Sequence, residues 1–303
     1  MESKRRMPIA HLSAFLAILI WGSTYISTKT LLAQFKPLEI LVFRFVIGYV
    51  TLLLIHPRIV KTKSWKEELL FALAGLCGIT MYFLLEIIAL TYTLASNVGV
   101  IVSMAPFFTA VLSHFLLKGE RFRPQFFVGF IVALTGIFLI GYNGNKVLKL
   151  NPLGDILAFM SALAFALYSI LMRKISSLGY HNIGCTRRVF FYGLLFMIPA
   201  ASRMEFTLNL GRLANASNLF HLLFLGLLAS ALCFVTWNWT VGVLGAVKTT
   251  LYIYIVPVVT ILAAAIFLHE RITPLALAGA FLALAGMFIA ERRTVKPGVQ
   301  EAG

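Results

Sequence analysis

The sequence predicts an all-α integral membrane protein, with about ten transmembrane helices arranged as two inverted five-helix repeats. Composition is the first reason: 60% of the 303 residues are hydrophobic and 12% are charged, where a soluble domain carries about 25% charged residues. The second is the length of the apolar runs. They suit helices that cross roughly 30 Å of hydrocarbon rather than the alternating strands of a barrel. The third is that the chain repeats itself.

The stretch 95–141 recurs at 246–290. Pro106 pairs with Pro257 and Thr109 with Thr260 at one spacing. After a one-residue gap, Glu120-Arg121 pairs with Glu270-Arg271, Pro124 with Pro274, Gly129 with Gly279 and Gly136 with Gly286. Upstream, Pro8, Ala14, Phe15, Leu19 and Ile26 recur as Pro152, Ala158, Phe159, Leu163 and Ile170, and the same spacing carries Lys29 onto Arg173 and Arg44 onto Arg188. The expected repeats are therefore 1–143 and 152–291. A basic start followed by an apolar run also describes a signal peptide, but its recurrence deep in the chain makes the first helix part of the fold.

Taken in order, the apolar runs predict helices at 9–32, 38–56, 69–91, 96–117, 124–143, 153–172, 184–202, 218–241, 247–268 and 274–291. The first follows the basic residues Lys4, Arg5 and Arg6. The fourth and ninth each hold a proline, Pro106 and Pro257, which frees a carbonyl one turn earlier and kinks the helix. The fifth and tenth open on Pro124 and Pro274, where the missing N–H costs nothing. The start of the seventh is interrupted by Arg187-Arg188. Most of the 26 Lys and Arg residues fall in the N-terminal tail, in the segments after the even-numbered helices and at the C-terminus, so both termini are expected in the cytoplasm of an inner (plasma) membrane protein. The net charge of +15 has the same origin, and nucleic acid is not an expected partner. Five helices per half turn the second half upside down, a pattern found in secondary transporters.

The paired P-x(12–13)-E-R-x-x-P-x(4)-G-x(6)-G pattern, with Ala89-Leu90, Thr91-Tyr92-Thr93 and Ala95-Ser96 before its first copy, resembles the EamA-type drug/metabolite transporter superfamily from Trp21-Gly22 to Gly286. The resemblance implies ten helices around a central cavity that passes small metabolites, such as an amino acid or similar polar solute, often outward, by alternating access. Lys248 stands where the first copy has Asn97, so a cation there is one-sided.

Polar residues inside spans are costly and mark candidate sites. Glu86 is either a protonatable or substrate-binding carboxylate, or one arm of a fixed salt bridge to Arg44 or Lys29. Arg44 and Arg188 either grip anionic substrate groups or bond carbonyls near helix ends. Lys248 either meets a substrate anion or snorkels to an interface. Trp21, Tyr25, Tyr82, Ser103, Tyr168, Trp237, Asn238 and Tyr252 lie within a few turns of the midplane, as pocket lining or as interfacial anchors. Glu120 and Glu270 read as structural, each before a proline-led helix. The six histidines show no metal-ligand spacing, Cys77, Cys185 and Cys233 form no CxxC, and no cofactor is expected. An intramembrane enzyme built on Glu86 lacks a nucleophile or metal at its depth, and a channel lacks a ring of like charge. The expected partners are a small-molecule substrate, the lipid bilayer and, at most, a second copy of the chain.

Overall fold

The computed structural model describes residues 2–93, 95–117, 124–142, 151–204, 206, 207, 210–268 and 272–291. Among them all regular structure is helical, because backbone groups in hydrocarbon must be satisfied from within the segment. The ten rods are α1 (Glu2–Leu31), α2 (Pro37–Ile55), α3 (65–92), α4 (95–116), α5 (Pro124–Gly141), α6 (Pro152–Ser176), α7 (Asn182–Arg203), α8 (216–244), α9 (246–268) and α10 (Pro274–Glu291). Nine stretches of the described residues are long and apolar enough to cross a membrane, and Gln125–Gly141 is a shorter apolar helix.

Several ends differ from expectation. α1 starts at Glu2 with Pro8 inside it, because the basic residues wind on as extra turns. Arg187 and Arg188 lie within α7, where the pair was expected to interrupt the helix start. Their guanidinium groups find partners, so they cost the helix little: Arg187 donates to the carbonyls of His56 and Arg58, and Arg188 to the Val60 carbonyl and to Glu68. Pro37 and Pro152 open their helices. Ser64, Asn151 and Asn215 cap others by accepting from Glu67, Gly154 and Ser217 N–H groups, which satisfies donors that have no partner within the helix. Between α8 and α9 the chain turns sharply at Gly245, whose φ of 91° is open to glycine at little cost.

Four rods are not uniform. α3 widens into a π-helix at Leu76–Met81, and α8 does so at Phe224–Leu232. α4 breaks at Ser103–Met104 before Ala105–Leu116, and α9 tightens to a 3₁₀ turn at Tyr252–Ile255 before Val256–Leu268. The irregularities recur at the spacing that relates Pro106 to Pro257. Both prolines thus sit in the first turn of a restarted helix; the helix is broken before them rather than kinked at them.

The halves exchange helices. α1 packs on α8 and α9, and α2 on the π segment of α8. Correspondingly α6 packs on α3 and α4, and α7 on the π segment of α3. Two mixed bundles result: α1, α2, α8 and α9 form the first, and α3, α4, α6 and α7 the second. α5 and α10 pack against each other antiparallel, Gly129 opposite Gly286 and Gly136 opposite Gly279. That pairing is the one an inverted repeat requires, since the two contacts are each other's repeat mates. Helix pairs in lipid gain mainly from such close backbone approach. Glu120-Arg121, Glu270-Arg271 and the C-terminal basic residues lie outside the described residues.

A Cβ on Gly136 would stand 2.4 Å from Ala283 N and from Gly279 O, backbone atoms that cannot step aside. Gly136→Ala is therefore expected to destabilise the protein by on the order of 1–3 kcal/mol, read as a lower melting temperature in detergent. Gly99, with nothing within 4 Å of such a Cβ, is the control: Gly99→Ala leaves the melting temperature no lower.

A second expectation concerns acid. The His56 and His181 rings, after α2 and before α7, stack 4.2 Å apart. Burial, the His181 ring and the guanidinium groups of Arg187 and Arg58 hold His56 below the ordinary imidazole value. The folded state thus binds fewer protons at this site than the unfolded chain. Its contribution is present above about pH 6.5 and is lost as pH falls through the depressed folded value. Melting temperature should drop on acidification, and His56→Gln should flatten that dependence.

Candidate functional site

Arg44 is the centre of the charged constellation within the spans. It is 7% exposed on the middle of α2. Its Nε donates to Ser230 Oγ at 3.0 Å, and its guanidinium lies over the Phe83 and Phe45 rings at 4.9 and 5.2 Å. Aromatic faces supply part of the stabilisation that water would give a cation. Glu86, on α3 of the other bundle, is its electrostatic partner, and Tyr82 and Cys233 share the same neighbourhood. Glu86 makes no hydrogen bond or ion pair among the described residues, so the fixed bridge to Arg44 is not formed. It lies deep in the protein and is half-buried.

Aromatic side chains pack around Arg44. Phe234 packs against Trp21, Phe45, Phe83, Tyr168 and Phe190. Trp21 lies 4.9 Å from Trp237 and donates from Nε1 to the Ala229 carbonyl at 2.9 Å. Trp237 is fully buried, and its Nε1 has no hydrogen-bond partner among the described residues. Sequence reasoning had no means to place Phe45, Phe83, Phe234 or Ser230, because apolar positions in a lipid-embedded chain look alike whether they face lipid, core or cavity.

Other expected residues lie elsewhere. Tyr168 and Asn238 are buried beneath the aromatic cluster, Tyr168 donating to Asn238 Oδ1 at 2.7 Å and Asn238 Nδ2 to Thr186 Oγ1 at 3.0 Å. Ser103 donates to its own helix at the Gly99 carbonyl. Tyr252 bonds His11 at 2.6 Å, near Glu291 and the start of α1. Lys248 is half-buried on the part of α9 that packs against α4, away from Arg44. The side chains of Tyr25 and Lys29 lie outside the described residues. Arg188, the repeat mate of Arg44, is fully committed: it pairs with Glu68, whose carboxylate also accepts from Tyr192 and from Thr62. Of the two arginines only Arg44 retains a site.

Tyr82–Ile88 of α3 and Val256–Ile261 of α9 are half-buried throughout, whereas Tyr168 of α6 and Trp237 of α8 are fully buried. The geometry is a charged pair, one member on each of two bundles made of exchanged repeats, beside a cluster of aromatic rings. A model of the EamA-like transporter family matches residues 8–142 and again 152–291. The chain belongs to the EamA-like transporter family. An uncharacterized transporter of Archaeoglobus fulgidus is 26% identical over 283 residues, covering 92% of this chain and 96% of its own. An uncharacterized transporter of Bacillus subtilis is 29% identical, over 90% of this chain and 88% of its own. A protein of Streptantibioticus cattleyicolor named a probable terminal-alkyne amino-acid exporter is 25% identical, over 92% of each chain. One solved crystal structure shares the fold with a TM-score of 0.78, at 19% identity over 94% of this chain and 96% of that one.

The two arginines should separate on folded yield. Arg188→Gln leaves Glu68 without its cation, a loss on the order of 1–3 kcal/mol, and should lower the melting temperature. Arg44→Gln keeps a donor for Ser230 and strands no paired carboxylate, so the EamA-like protein should stay folded and lose transport of its solute.

Proposed function

We propose that the protein is a secondary transporter that exports an amino acid or a similar small polar solute across the inner (plasma) membrane by alternating access. The observation that carries this reading is that Arg44 and Glu86, on opposite bundles, are electrostatic neighbours that make no direct ion pair among the described residues. A carboxylate on the solute is drawn to Arg44, its ammonium group to Glu86, and its less polar body to the Phe83, Phe234 and Trp21 rings. The relative named as a probable amino-acid exporter supports the same class. Because the two charges ride on different bundles, a bound zwitterion ties the bundles together, and rocking one against the other carries it past the midplane. The bias of basic residues favours the termini and the His56 end in the cytoplasm, and the antiparallel halves give each end an equivalent gate.

The test is counterflow of radiolabelled amino acids in proteoliposomes, with Glu86→Gln as the diagnostic variant. It should insert and fold, and lose affinity for amino acids or the pH dependence of transport. Folded Glu86→Gln with unaltered transport at every pH would sink the assignment of this residue. Sidedness is checked with single cysteines at two exposed serines: Ser217→Cys should react with an impermeant maleimide from outside, and Ser177→Cys only after the membrane is opened.

A further inference from the structure

The strap that joins α2 to α3, residues 56–64, has its polarity reversed for a loop surrounded by water. Its burial alternates: Val60 is 8% exposed and Thr62 half-buried, while Ile59, Lys61 and Lys63 are exposed. The inner side is fastened along its length to α7. Arg187 donates to the His56 and Arg58 carbonyls, and Arg188 to that of Val60. A Cβ on Gly184 of α7 would stand 2.7 Å from Val60 Cγ2, so strap and helix touch. The acidic residues that follow are occupied on that same side. Glu68 accepts from Arg188, Tyr192 and Thr62, and Glu67 from the Lys63 N–H and the Tyr180 hydroxyl.

Arg58, Ile59, Lys61, Lys63, Trp65 and Lys66 make up the exposed side. Ile59 and Trp65 are 75% and 76% exposed, as open as Leu54 and Ile55 at 77% and 62% on the last turn of the α2 span. Apolar surface thus runs on from the end of the span in among four cations. Only Lys63 of the four shares the field of Glu67, and the exposed side keeps a positive excess.

We infer that this side of the strap is a preformed docking surface for the headgroups of anionic phospholipids. Ile59 and Trp65 sit at the acyl boundary, and Arg58, Lys61, Lys63 and Lys66 hold lipid phosphates. The ordinary bias of basic residues towards one side of a membrane accounts for the cations. It does not account for a threonine turned inward while an isoleucine and a tryptophan are turned outward. A tryptophan ring suits the level of the headgroups, and basic side chains immediately beside a span collect anionic lipid. Because arginines of α7 already fix the strap, little of its backbone remains to be ordered when lipid binds. The inference goes beyond the transport reading and does not depend on it.

The test uses the whole protein in a non-ionic detergent, with phosphatidylglycerol or phosphatidylcholine added. A ligand of the folded state raises the melting temperature, so phosphatidylglycerol should raise it by several degrees more than phosphatidylcholine does. Native mass spectrometry should show phosphatidylglycerol retained in preference from an equal mixture. Lys61→Gln with Lys63→Gln should remove most of that preference. Ile59→Ser with Trp65→Ser, which leaves every charge in place, should also lower it. Arg6→Gln with Arg203→Gln takes the same charge from two other exposed positions and should leave the preference intact. All these positions are exposed, and melting without lipid identifies the variants that remain folded. Equal losses in the Lys61/Lys63 and Arg6/Arg203 pairs would reduce the effect to net charge and overturn the docking surface. So would a preference that survives the Ile59/Trp65 pair unchanged. Inorganic phosphate that reproduces the whole rise in melting temperature would make the ligand a free anion and overturn the lipid.

Discussion

Neither half of this chain can cover its own helices. In each, the first two helices find their partners on the third and fourth helices of the other half. The chain thus builds two bundles that are each part first copy and part second. Hydrocarbon makes this exchange workable, since lipid is as apolar as a neighbouring helix and association rests on close packing and a few polar contacts. The Gly129–Gly286 and Gly136–Gly279 contacts tie the last helices of the two halves to each other, outside the two bundles. The seam between the bundles then falls through the middle of the protein, where Arg44 and Glu86 meet.

The repeat is symmetric in backbone and not in chemistry. Arg44 and Arg188 occupy equivalent positions, yet Arg188 is bound by Glu68 and a loop carbonyl while Arg44 is left to Ser230, two phenylalanine rings and the field of Glu86. A cation held by aromatic faces and one hydroxyl keeps donors for an incoming anion. One tied to a carboxylate does not. The same split separates Glu86, unpaired among the described residues and half-buried, from Glu39 and Glu68, each locked by an arginine.

Much of the architecture was legible because it follows from repetition and hydropathy, and neither depends on side-chain contacts. The ten apolar runs, the paired prolines and the paired glycines stand in the sequence itself. Helix ends were less legible: charged residues such as Arg187 and Arg188 look like interruptions until the carbonyls and carboxylate that satisfy them are known. The site was legible only through its charges. Arg44 and Glu86 stand out in an apolar chain, and their proximity was foreseen from depth. Tyr252 and Ser103 were expected within a few turns of the midplane and sit elsewhere, because depth gives a residue's height and not the face of the helix that carries it. Phe45, Phe83 and Phe234 gave no signal at all among the 26 phenylalanines.

The wide turn in α3 sets what Glu86 can see. A π-turn uses more residues than an α-turn, and each extra residue rotates everything beyond it by about 100° around the helix axis. Leu76–Met81 lies between Glu68, which is fastened to α7, and Glu86, which neighbours Arg44. With an unbroken α-helix anchored at Glu68, the second carboxylate would turn away from Arg44 by more than a quarter of a circle. The chemistry at Glu86 therefore depends on six residues that carry no charge and touch no solute, and an insertion or deletion among them would re-aim the site without altering a single residue in it.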